Sequence, residues 1–290
     1  MIIEQNSELK VMRMLVRFWY RKFSAYEIAK ESDVSVPMVY NIIEKFKEKG
    51  IVKQEDKKIR ITFDNDFSYS FKVLYDSERM LDLSKEYQNK IKQVFNVFNS
   101  EYKENLVAFM VFGSVASNEQ TENSDIDMIV IVKNKKEIDY RKRGLVSLGK
   151  LNIIEKEQTE FEEDYFLAND LVLNVLMNGL IIFDRGIIRF LLNKSLPSPS
   201  YEVIMQKKER LDVLKNRLFV LLKEKNNKEL VEQLRKFIIE KARILLLEKG
   251  IIPSSKKYII DNINKVDKDL YRDYNALSEK NVEEILEKNV

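Results

Sequence analysis

Two aspartates separated by one residue, Asp125 and Asp127, are the side chains of this sequence best placed to do chemistry. They lie at the start of an apolar run, 126–132, whose short length and lack of helical alternation predict a buried strand. Residues two apart on a strand point to the same face, so the two carboxylates would lie together. Paired carboxylates bind hard divalent cations such as Mg²⁺, which take phosphate oxygens of a substrate as further ligands. The pair therefore predicts a cation site that serves a phosphorylated ligand.

A glycine–serine step, Gly113 and Ser114, precedes the aspartates with ten residues between them. It follows another solid apolar run, 106–112, which predicts a second buried strand. Glycine lets a backbone approach phosphate closely and adopt a turn that is closed to other residues. Ser114 offers an amide and a hydroxyl, and a short helix starting there would point its positive end at phosphate oxygens. The step and the carboxylates together suit a nucleoside triphosphate.

The order Gly-Ser, ten residues, Asp-x-Asp, on a strand–turn–helix–strand, resembles the DNA polymerase β-type nucleotidyltransferase superfamily, particularly its minimal nucleotidyltransferase branch. The resemblance covers about residues 100–190. It implies that an acceptor hydroxyl attacks the α-phosphate of a nucleotide with metal assistance and that pyrophosphate leaves. The site residues that it implies are Asp125 and Asp127 as catalytic ligands of Mg²⁺ or Mn²⁺, and Gly113, Ser114 and Ser124 as contacts to a nucleoside triphosphate, expected to be ATP. The competing interpretation is a glycine turn and two aspartates that only cap or solvate a strand end.

The sequence departs from the family pattern in three places. The strand predicted over 151–154 should supply a third carboxylate, but the position aligned with that catalytic residue is Asn152, a weaker cation ligand that cannot act as a base. Glu155 is an odd number of residues away, so on a regular strand it faces the opposite side. Val115 and Asn118 stand where family members often carry a basic residue and a glycine. We therefore expect one well-held cation with the triphosphate, a poorly held second cation, and low or absent transfer.

Composition excludes several other chemistries. The 290 residues include no cysteine and no histidine, which rules out disulfides, thiolate or imidazole metal sites, and hydrolytic triads with an imidazole base. Any catalysis must use carboxylates, lysines, hydroxyls, backbone amides and bound cations. The N-terminus has no secretory pattern, and the longest apolar runs are far shorter than the ~20 residues that span a bilayer. We expect a cytoplasmic protein with no membrane partner.

The elements that must position the site predict an α+β multidomain chain. The expected boundaries are a winged helix-turn-helix over 1–66, a connecting helix over 67–102, a small mixed-sheet α/β nucleotidyltransferase domain over 103–192, a linker over 193–201 and an all-α helical bundle over 202–290. One long charged helix is predicted over 73–102. Within the α/β domain, helices are predicted over 136–148 and 166–177, and a strand over 180–183. Helices over 202–225 and 228–249 begin the bundle.

Three helical segments and a hairpin make the first block resemble a winged helix-turn-helix. Ser24 and Glu27 form a capping-box pattern, and Gly50 follows the third helix as a stop signal. The resemblance implies that the third helix binds DNA in the major groove. Its predicted outward-facing residues are Tyr40, Asn41, Lys45 and Lys47. Because Glu44 and Glu48 share this helix, the positive charge available to DNA is weak, and a dimerisation or docking module stays open as the alternative.

The last block loosely resembles the helical partner domain of nucleotidyltransferases, of the kanamycin nucleotidyltransferase type, and HEPN-type bundles. HEPN ribonucleases depend on an arginine and a histidine, so the missing histidine excludes that nuclease activity. Four basic residues either line a substrate cleft or form the solvated face of a helix, namely Arg235, Lys236, Lys241 and Arg243.

Two functional interpretations follow. In the first, the protein binds a magnesium–nucleotide and transfers a nucleotidyl group to an unidentified acceptor hydroxyl. In the second, it is a DNA-binding transcriptional regulator, or an antitoxin-like protein, whose degenerate nucleotidyltransferase domain retains nucleotide binding as a sensor. The expected partners are a nucleotide, DNA through the winged helix, a partner protein and a second copy of the chain.

Overall fold

A computed structural model describes residues 6–118, 124–197, 199–253 and 256–290 of the chain. Contacts divide the chain into two units, the first Met1–Glu163 with Asn174–Leu196 and the second Asp164–Leu173 with Pro197–Val290. The helices of the described residues are α1 Ser7–Arg17, α2 Ala25–Ser32, α3 Val36–Glu48, α4 Asp66–Leu81, α5 Lys85–Tyr102, α6 Gly113–Ser117, α7 Gln158–Phe166, α8 Asp170–Asn178, α9 Ile187–Leu192, α10 Tyr201–Lys223, α11 Asn227–Glu248, α12 Lys256–Val266, α13 Lys268–Ala276 and α14 Val282–Asn289. The strands are β1 Val52–Glu55, β2 Lys58–Ile61, β3 Leu106–Phe112, β4 Ile126–Val132, β5 Leu151–Glu157 and β6 Leu180–Asp184. The predicted α+β class is confirmed.

Helices α1 to α3 and the β1–β2 hairpin form the winged helix. The predicted capping box is present, because the Ser24 N–H donates to the Glu27 carboxylate at 2.6 Å and the Glu27 N–H donates to the Ser24 Oγ at 3.3 Å. Asp56 and Lys57 both have positive φ at the hairpin turn, which matches the twist of the two strands. Trp19 packs edge-on against Phe63 with ring centroids 6.5 Å apart, and both side chains are buried.

The predicted single helix over 73–102 is wrong. The chain forms two helices, α4 and α5, with a break at residues 82–84. Leu83 is buried in the break, and the Ser84 hydroxyl accepts a hydrogen bond from the Tyr87 N–H at 3.4 Å. A buried leucine followed by a serine cap starts a new helix here. The charged residues on both sides make this break hard to recognise in the sequence.

Four strands form the sheet that carries the candidate site. Their order is β5-β4-β3-β6, with β4 antiparallel to β3, β6 antiparallel to β3, and β5 parallel to β4. Every residue of β3 is buried, as expected for a central strand covered on both faces. Helix α5 packs on one face through Ile91, Val94 and Phe98, each at most 1% exposed.

Two helix predictions in the α/β domain are wrong. Residues 136–148 contain no α-helix, only one turn of 3₁₀ helix at Val146–Leu148, in the crossover that joins the parallel strands. Helix 166–177 is replaced by α7 and α8, because Ala168 adopts a positive φ of 56° between them. Strand β5 runs to Glu157, three residues beyond its predicted end.

The described elements of the second unit are all helices. Helices α10 and α11 start and end within two residues of their predicted bounds, and the Ser200 hydroxyl caps α10 by accepting from the Val203 N–H. The core contains Leu218, Leu234 and Ile259, which are fully buried. Among the described residues, no helix is long and apolar enough to cross a membrane.

Candidate functional site

Three neighbouring strands bring the predicted site residues together. In the β-sheet register Asp127 lies beside Phe112 of β3 on one side and beside Asn152 of β5 on the other. Phe112 is the last residue of its strand, so Gly113 and Ser114 follow at the same edge of the sheet. Asp125, the residue before β4, is exposed, whereas Asp127 is half-buried.

Gly113 packs closely against the carboxylate of Asp127. Its φ is +72°, and a Cβ added there would lie only 2.2 Å from Oδ2 of Asp127. Both the backbone conformation and the space at this position therefore require glycine. The backbone bend at Gly113 and the Asp127 carboxylate therefore pack directly against each other.

Asn152 contacts Asp127 directly. Its amide Nδ2 donates to Oδ1 of Asp127 at 2.8 Å, and Asn152 itself is exposed. Burial raises the pKa of Asp127 above its usual value, the Asn152 hydrogen bond opposes that rise, and the Asp125 charge adds to it. The two carboxylates repel each other, and the neighbouring amide carries no charge to offset them. A bound cation would relieve this repulsion.

Glu155 lies on the opposite face of β5, as its spacing predicts. Its carboxylate accepts from the Tyr102 hydroxyl at 2.6 Å and from the Tyr140 hydroxyl at 2.5 Å. Burial and the hydrogen bond to Glu155 raise the pKa of Tyr102 to about 12. Within the described residues, no group of three or more acidic, histidine or cysteine side chains is placed to hold a metal. The candidate cation ligands are thus the two aspartates.

The two remaining departures from the family pattern have different structural consequences. Val115 is fully buried and belongs to the core under the sheet, so a charged side chain at this position would be desolvated. Asn118 ends α6 with a φ of +59°, a conformation that asparagine adopts more readily than most residues. The asparagine therefore takes over the conformational role of a glycine.

The two predicted serines lie in different places. Ser114 is half-buried in α6, where its carbonyl oxygen accepts from the Ser117 hydroxyl at 3.2 Å. Ser124 lines a cleft of about 460 Å³ together with Tyr87, Lys90 and Lys150. Neither Asp125 nor Asp127 lines that cleft.

Arg79 is a residue that the sequence analysis missed. Its guanidinium donates to the carbonyl of Ala116 in α6 at 2.6 Å and lies 3.6 Å from the buried carboxylate of Asp76. That carboxylate accepts from Lys72 at 2.6 Å and from the Ile181 N–H of β6 at 3.0 Å. Arg79 of α4 therefore holds α6, the helix that begins at Gly113, in place. No local signal marks Arg79 among the many charged residues of this segment.

The predicted DNA-contacting residues all lie exposed on α3. Tyr40 has 59% of its surface exposed, and Asn41 lies beside it. Lys45 forms an ion pair with Glu8 at 2.9 Å, and Lys47 forms one with Glu44 at 3.0 Å. Acidic neighbours thus compensate both lysines, which leaves little positive charge on this helix for a phosphate backbone.

The basic residues of α11 contact their own unit. Arg235 donates to the Leu277 carbonyl at 3.5 Å, and Lys241 donates to the Asn289 carbonyl at 2.9 Å. Arg243 forms an ion pair with Asp170, and Lys236 is exposed. Three of the four residues therefore make contacts within the second unit.

Comparisons with known proteins bear on both parts of the first unit. Residues 89–186 match the family model "Polymerase beta, Nucleotidyltransferase", and residues 5–75 match "Sugar-specific transcriptional regulator TrmB". No curated protein matches the chain.

Two solved structures are similar over part of the chain. A nucleotidyltransferase-like protein from Exiguobacterium sibiricum 255-15 is 16% identical, with a TM-score of 0.39 over 67% of this chain and 71% of that one. The spectinomycin adenyltransferase AAD(9) from Enterococcus faecialis, solved with ATP and spectinomycin, is 12% identical, with a TM-score of 0.39 over 69% of this chain and 96% of that one. The family matches support a nucleotidyltransferase-like domain over residues 89–186 and a TrmB-type domain over residues 5–75.

Proposed function

We propose that the nucleotidyltransferase domain binds a nucleoside triphosphate with one divalent cation, and that transfer to an acceptor is weak. The observation that carries this proposal is the contact between Asn152 and Asp127. An amide stands beside Asp127 on the neighbouring strand, where the family resemblance predicts a third carboxylate. Two carboxylates provide ligands for one cation, whereas two-cation transfer needs a further negative ligand.

The residues present fit a hard cation. Asp125 and Asp127 offer carboxylate oxygens, the ligand type that Mg²⁺ prefers alongside water and phosphate. When bound there, the cation would neutralise charge on the triphosphate. Gly113 leaves space at the bend for the carboxylate of Asp127, and Arg79 fixes the helix that follows the bend. These residues preorganise the phosphate-binding edge before any ligand arrives.

Nucleotide binding is tested by calorimetry of the full chain with Mg²⁺ and a non-hydrolysable ATP analogue. We expect Asp125→Asn and Asp127→Asn each to weaken binding at least tenfold. The matched control is Glu137→Gln, an exposed carboxylate in the same domain, for which we expect a change below twofold. Absence of binding by the wild type, or equal binding by all four proteins, would contradict the proposal.

A second candidate function, DNA binding, is favoured by the TrmB-type match over residues 5–75 and by the exposed face of α3. The charge pairing predicts a modest affinity that depends weakly on salt, because the Lys45 ammonium is held by Glu8. Glu8→Gln releases Lys45 and should tighten binding, whereas Lys45→Gln should weaken it. The measurement is fluorescence anisotropy with duplex DNA at several salt concentrations. If neither substitution changes the affinity, a docking or dimerisation role for this domain is favoured instead.

A further inference from the structure

A second candidate site lies in the first unit, away from the aspartates. It is a cavity of about 170 Å³ bounded by the turn that follows α1, by strand β2 and by the segment that follows α9. Its apolar floor consists of Trp19, Ile61 and Leu192, each at most 5% exposed. No residue of the nucleotide site lines it.

Four cationic side chains surround this floor, and no carboxylate is among the lining residues. The cations are Arg21, Lys22, Arg60 and Lys194. Lys22 pairs with Glu55 at 2.7 Å. The other three form no ion pair within the part of the chain that the structure describes. Glu55 lies near enough for the Lys22 and Arg60 charges to lower its pKa, so it offsets part of the positive charge. The cations still outnumber this carboxylate, and an anion in the cavity would reduce the repulsion that remains.

Arg60 has unused hydrogen-bonding capacity here. Its Nε is buried without a partner, and its Nη1 makes only a 3.5 Å contact with the Ser195 hydroxyl. A buried donor left unpaired costs about 1–3 kcal/mol, more when it is charged. The guanidinium fork matches the oxygens of a phosphate, to which it can donate two hydrogen bonds.

Aromatic rings hold two of the other cations in place. The Arg21 guanidinium lies 4.7 Å from the centre of the Phe23 ring, and the Lys194 ammonium lies 4.7 Å from the centre of the Phe190 ring. Cation–π contacts of this kind limit the freedom of long side chains without neutralising their charge. The positive rim is therefore partly preorganised.

We propose that this cavity binds the phosphate group of a small molecule. Its volume accommodates a phosphate or a pyrophosphate but is smaller than the ~300 Å³ at which pockets for drug-sized ligands begin. A bound phosphate joins Arg60 of the hairpin to Lys194, close to the point where the chain passes into the second unit. The site would report a phosphorylated metabolite to the winged helix, and it stands independently of the proposed nucleotide site.

The test is calorimetry of the full chain with inorganic phosphate and with pyrophosphate, at constant ionic strength and with EDTA present to keep divalent cations out. We expect saturable binding with a Kd of about 1 mM or tighter. Arg60→Gln should weaken it at least tenfold and Lys194→Gln at least threefold. The matched control is Lys57→Gln, an exposed lysine at the hairpin tip, for which we expect less than twofold change.

Three outcomes overturn the proposal. These are no saturable binding by the wild type, equal binding by Arg60→Gln and the wild type, and binding that Ser114→Ala abolishes while Arg60→Gln preserves it. The third would place the phosphate at the nucleotide site. Thermal denaturation of each variant checks folding, and a weakened variant counts in favour only if its Tm stays within a few degrees of the wild type. Failure here leaves the Mg²⁺-dependent binding of the ATP analogue unaffected, so the two proposals can be told apart.

Discussion

At the scale of single residues, the contact between Gly113 and Asp127 gives the sharpest test of the nucleotide site. Gly113→Ala adds a methyl group 2.2 Å from Oδ2 of Asp127 and also strains a backbone with φ near +72°. Gly144→Ala meets the same strain, since its φ is +71°, but no atom lies within 4 Å of the added methyl. We expect the control to lose about 1 kcal/mol of unfolding free energy and the Gly113 variant clearly more.

Nucleotide affinity separates the two glycine variants further. Displacement of Asp127 should weaken binding of the magnesium-loaded ATP analogue at least tenfold in Gly113→Ala and less than twofold in Gly144→Ala, measured by calorimetry. Equal affinities would show that the bend and the carboxylate act separately.

Asn152→Asp supplies the carboxylate that the family resemblance predicts. Three neighbouring carboxylates repel one another, so without divalent cations we expect a lower Tm than that of the wild type. Mg²⁺ or Mn²⁺ should then raise the Tm of the variant more than that of the wild type, because one more oxygen ligand is available.

Asn152→Ala is the control for this substitution, since it removes the hydrogen bond to Asp127 without adding a ligand. Differential scanning fluorimetry over a range of Mg²⁺ concentrations compares the two variants. Identical responses to Mg²⁺ would argue against a cation site at this edge of the sheet.

Motif spacing placed Gly113 and Asp127 at neighbouring strand ends, and the family resemblance added Asn152 as the residue aligned with the third carboxylate. The strand register brings all three together. The role of Arg79 could not be predicted in the same way. Its partner Ala116 is distant in sequence, and the contact depends on how α4 packs against the sheet. The cationic cavity was missed for the same reason, since Arg60 and Lys194 are far apart along the chain.

At the scale of elements, α4 contains a buried ion pair whose carboxylate also accepts from the Ile181 N–H of β6 at 3.0 Å. Lys72 lies 2.6 Å from both carboxylate oxygens of Asp76, and neither side chain is more than 5% exposed. Burial lowers the pKa of Lys72 and the Asp76 charge opposes that shift. Asp76→Ala leaves a buried lysine unpaired and should cost about 3–5 kcal/mol of unfolding free energy.

The control for the buried pair has the same helical spacing on a different helix. Glu86 and Lys90 of α5 lie 2.7 Å apart with Glu86 73% exposed, so Glu86→Ala should cost less than about 1 kcal/mol. Urea unfolding followed by circular dichroism measures both. A cost below 1 kcal/mol for Asp76→Ala would mean that water reaches the pair.

The capping box of α2 should make the winged helix sensitive to acid. The backbone N–H of Ser24 and the Lys58 ammonium hold the pKa of Glu27 at about 2, against a usual value of 4.5. A carboxyl with a lowered pKa contributes its stability above pH 4.5 and loses it progressively as the pH falls towards 2. The contribution is modest because 42% of the Glu27 side chain is exposed, so solvent screens its ion pair with Lys58.

Urea unfolding at pH 7 and pH 3 tests this dependence. Glu27→Gln should reduce the difference in unfolding free energy between the two pH values, whereas Glu31→Gln, an exposed carboxylate of the same helix, should preserve it. If Glu27→Gln leaves the difference intact, the acid sensitivity arises elsewhere.

Element prediction succeeded where a pattern was local and failed where tertiary contacts decided the conformation. The core strands followed from solid apolar runs, and the winged helix from caps and turn residues. Residues 136–148 carry a helical pattern, yet Tyr140 bonds to Glu155 and the Lys136 N–H donates to the Tyr102 hydroxyl at 3.2 Å. Those contacts, together with the positive φ of Gly144, favour an irregular crossover over a helix.

At the scale of the whole molecule, the winged helix belongs to the same unit as the nucleotidyltransferase sheet. The Phe63 N–H donates to the Asn193 side chain at 2.6 Å, and Arg189 donates to the Phe63 and Asp64 carbonyls at 2.9 and 2.8 Å. The sequence analysis expected a domain boundary at residue 66, and it could not predict these long-range contacts across that position.

Arg189→Gln tests how strongly these contacts stabilise the unit. The substitution removes the ion pair with Asp66 and the hydrogen bonds that the charged guanidinium donates to two backbone carbonyls. We expect it to lower the free energy of unfolding by about 2–4 kcal/mol. Arg141→Gln, at an exposed position of the crossover, should change the unfolding free energy by less than 0.5 kcal/mol. Chemical denaturation of both variants measures the difference, and equal stabilities would show that apolar packing alone joins the two parts.

The position of Trp19 has a practical consequence. It is the only tryptophan in the chain, its indole N–H donates to the Leu176 carbonyl of α8 at 3.2 Å, and its side chain is 4% exposed. The single tryptophan fluorophore thus lies where the winged helix contacts α8. An effector that separates the winged helix from α8 would expose the indole to water and shift its emission maximum to longer wavelength. Trp19 fluorescence therefore reports this movement without an added dye.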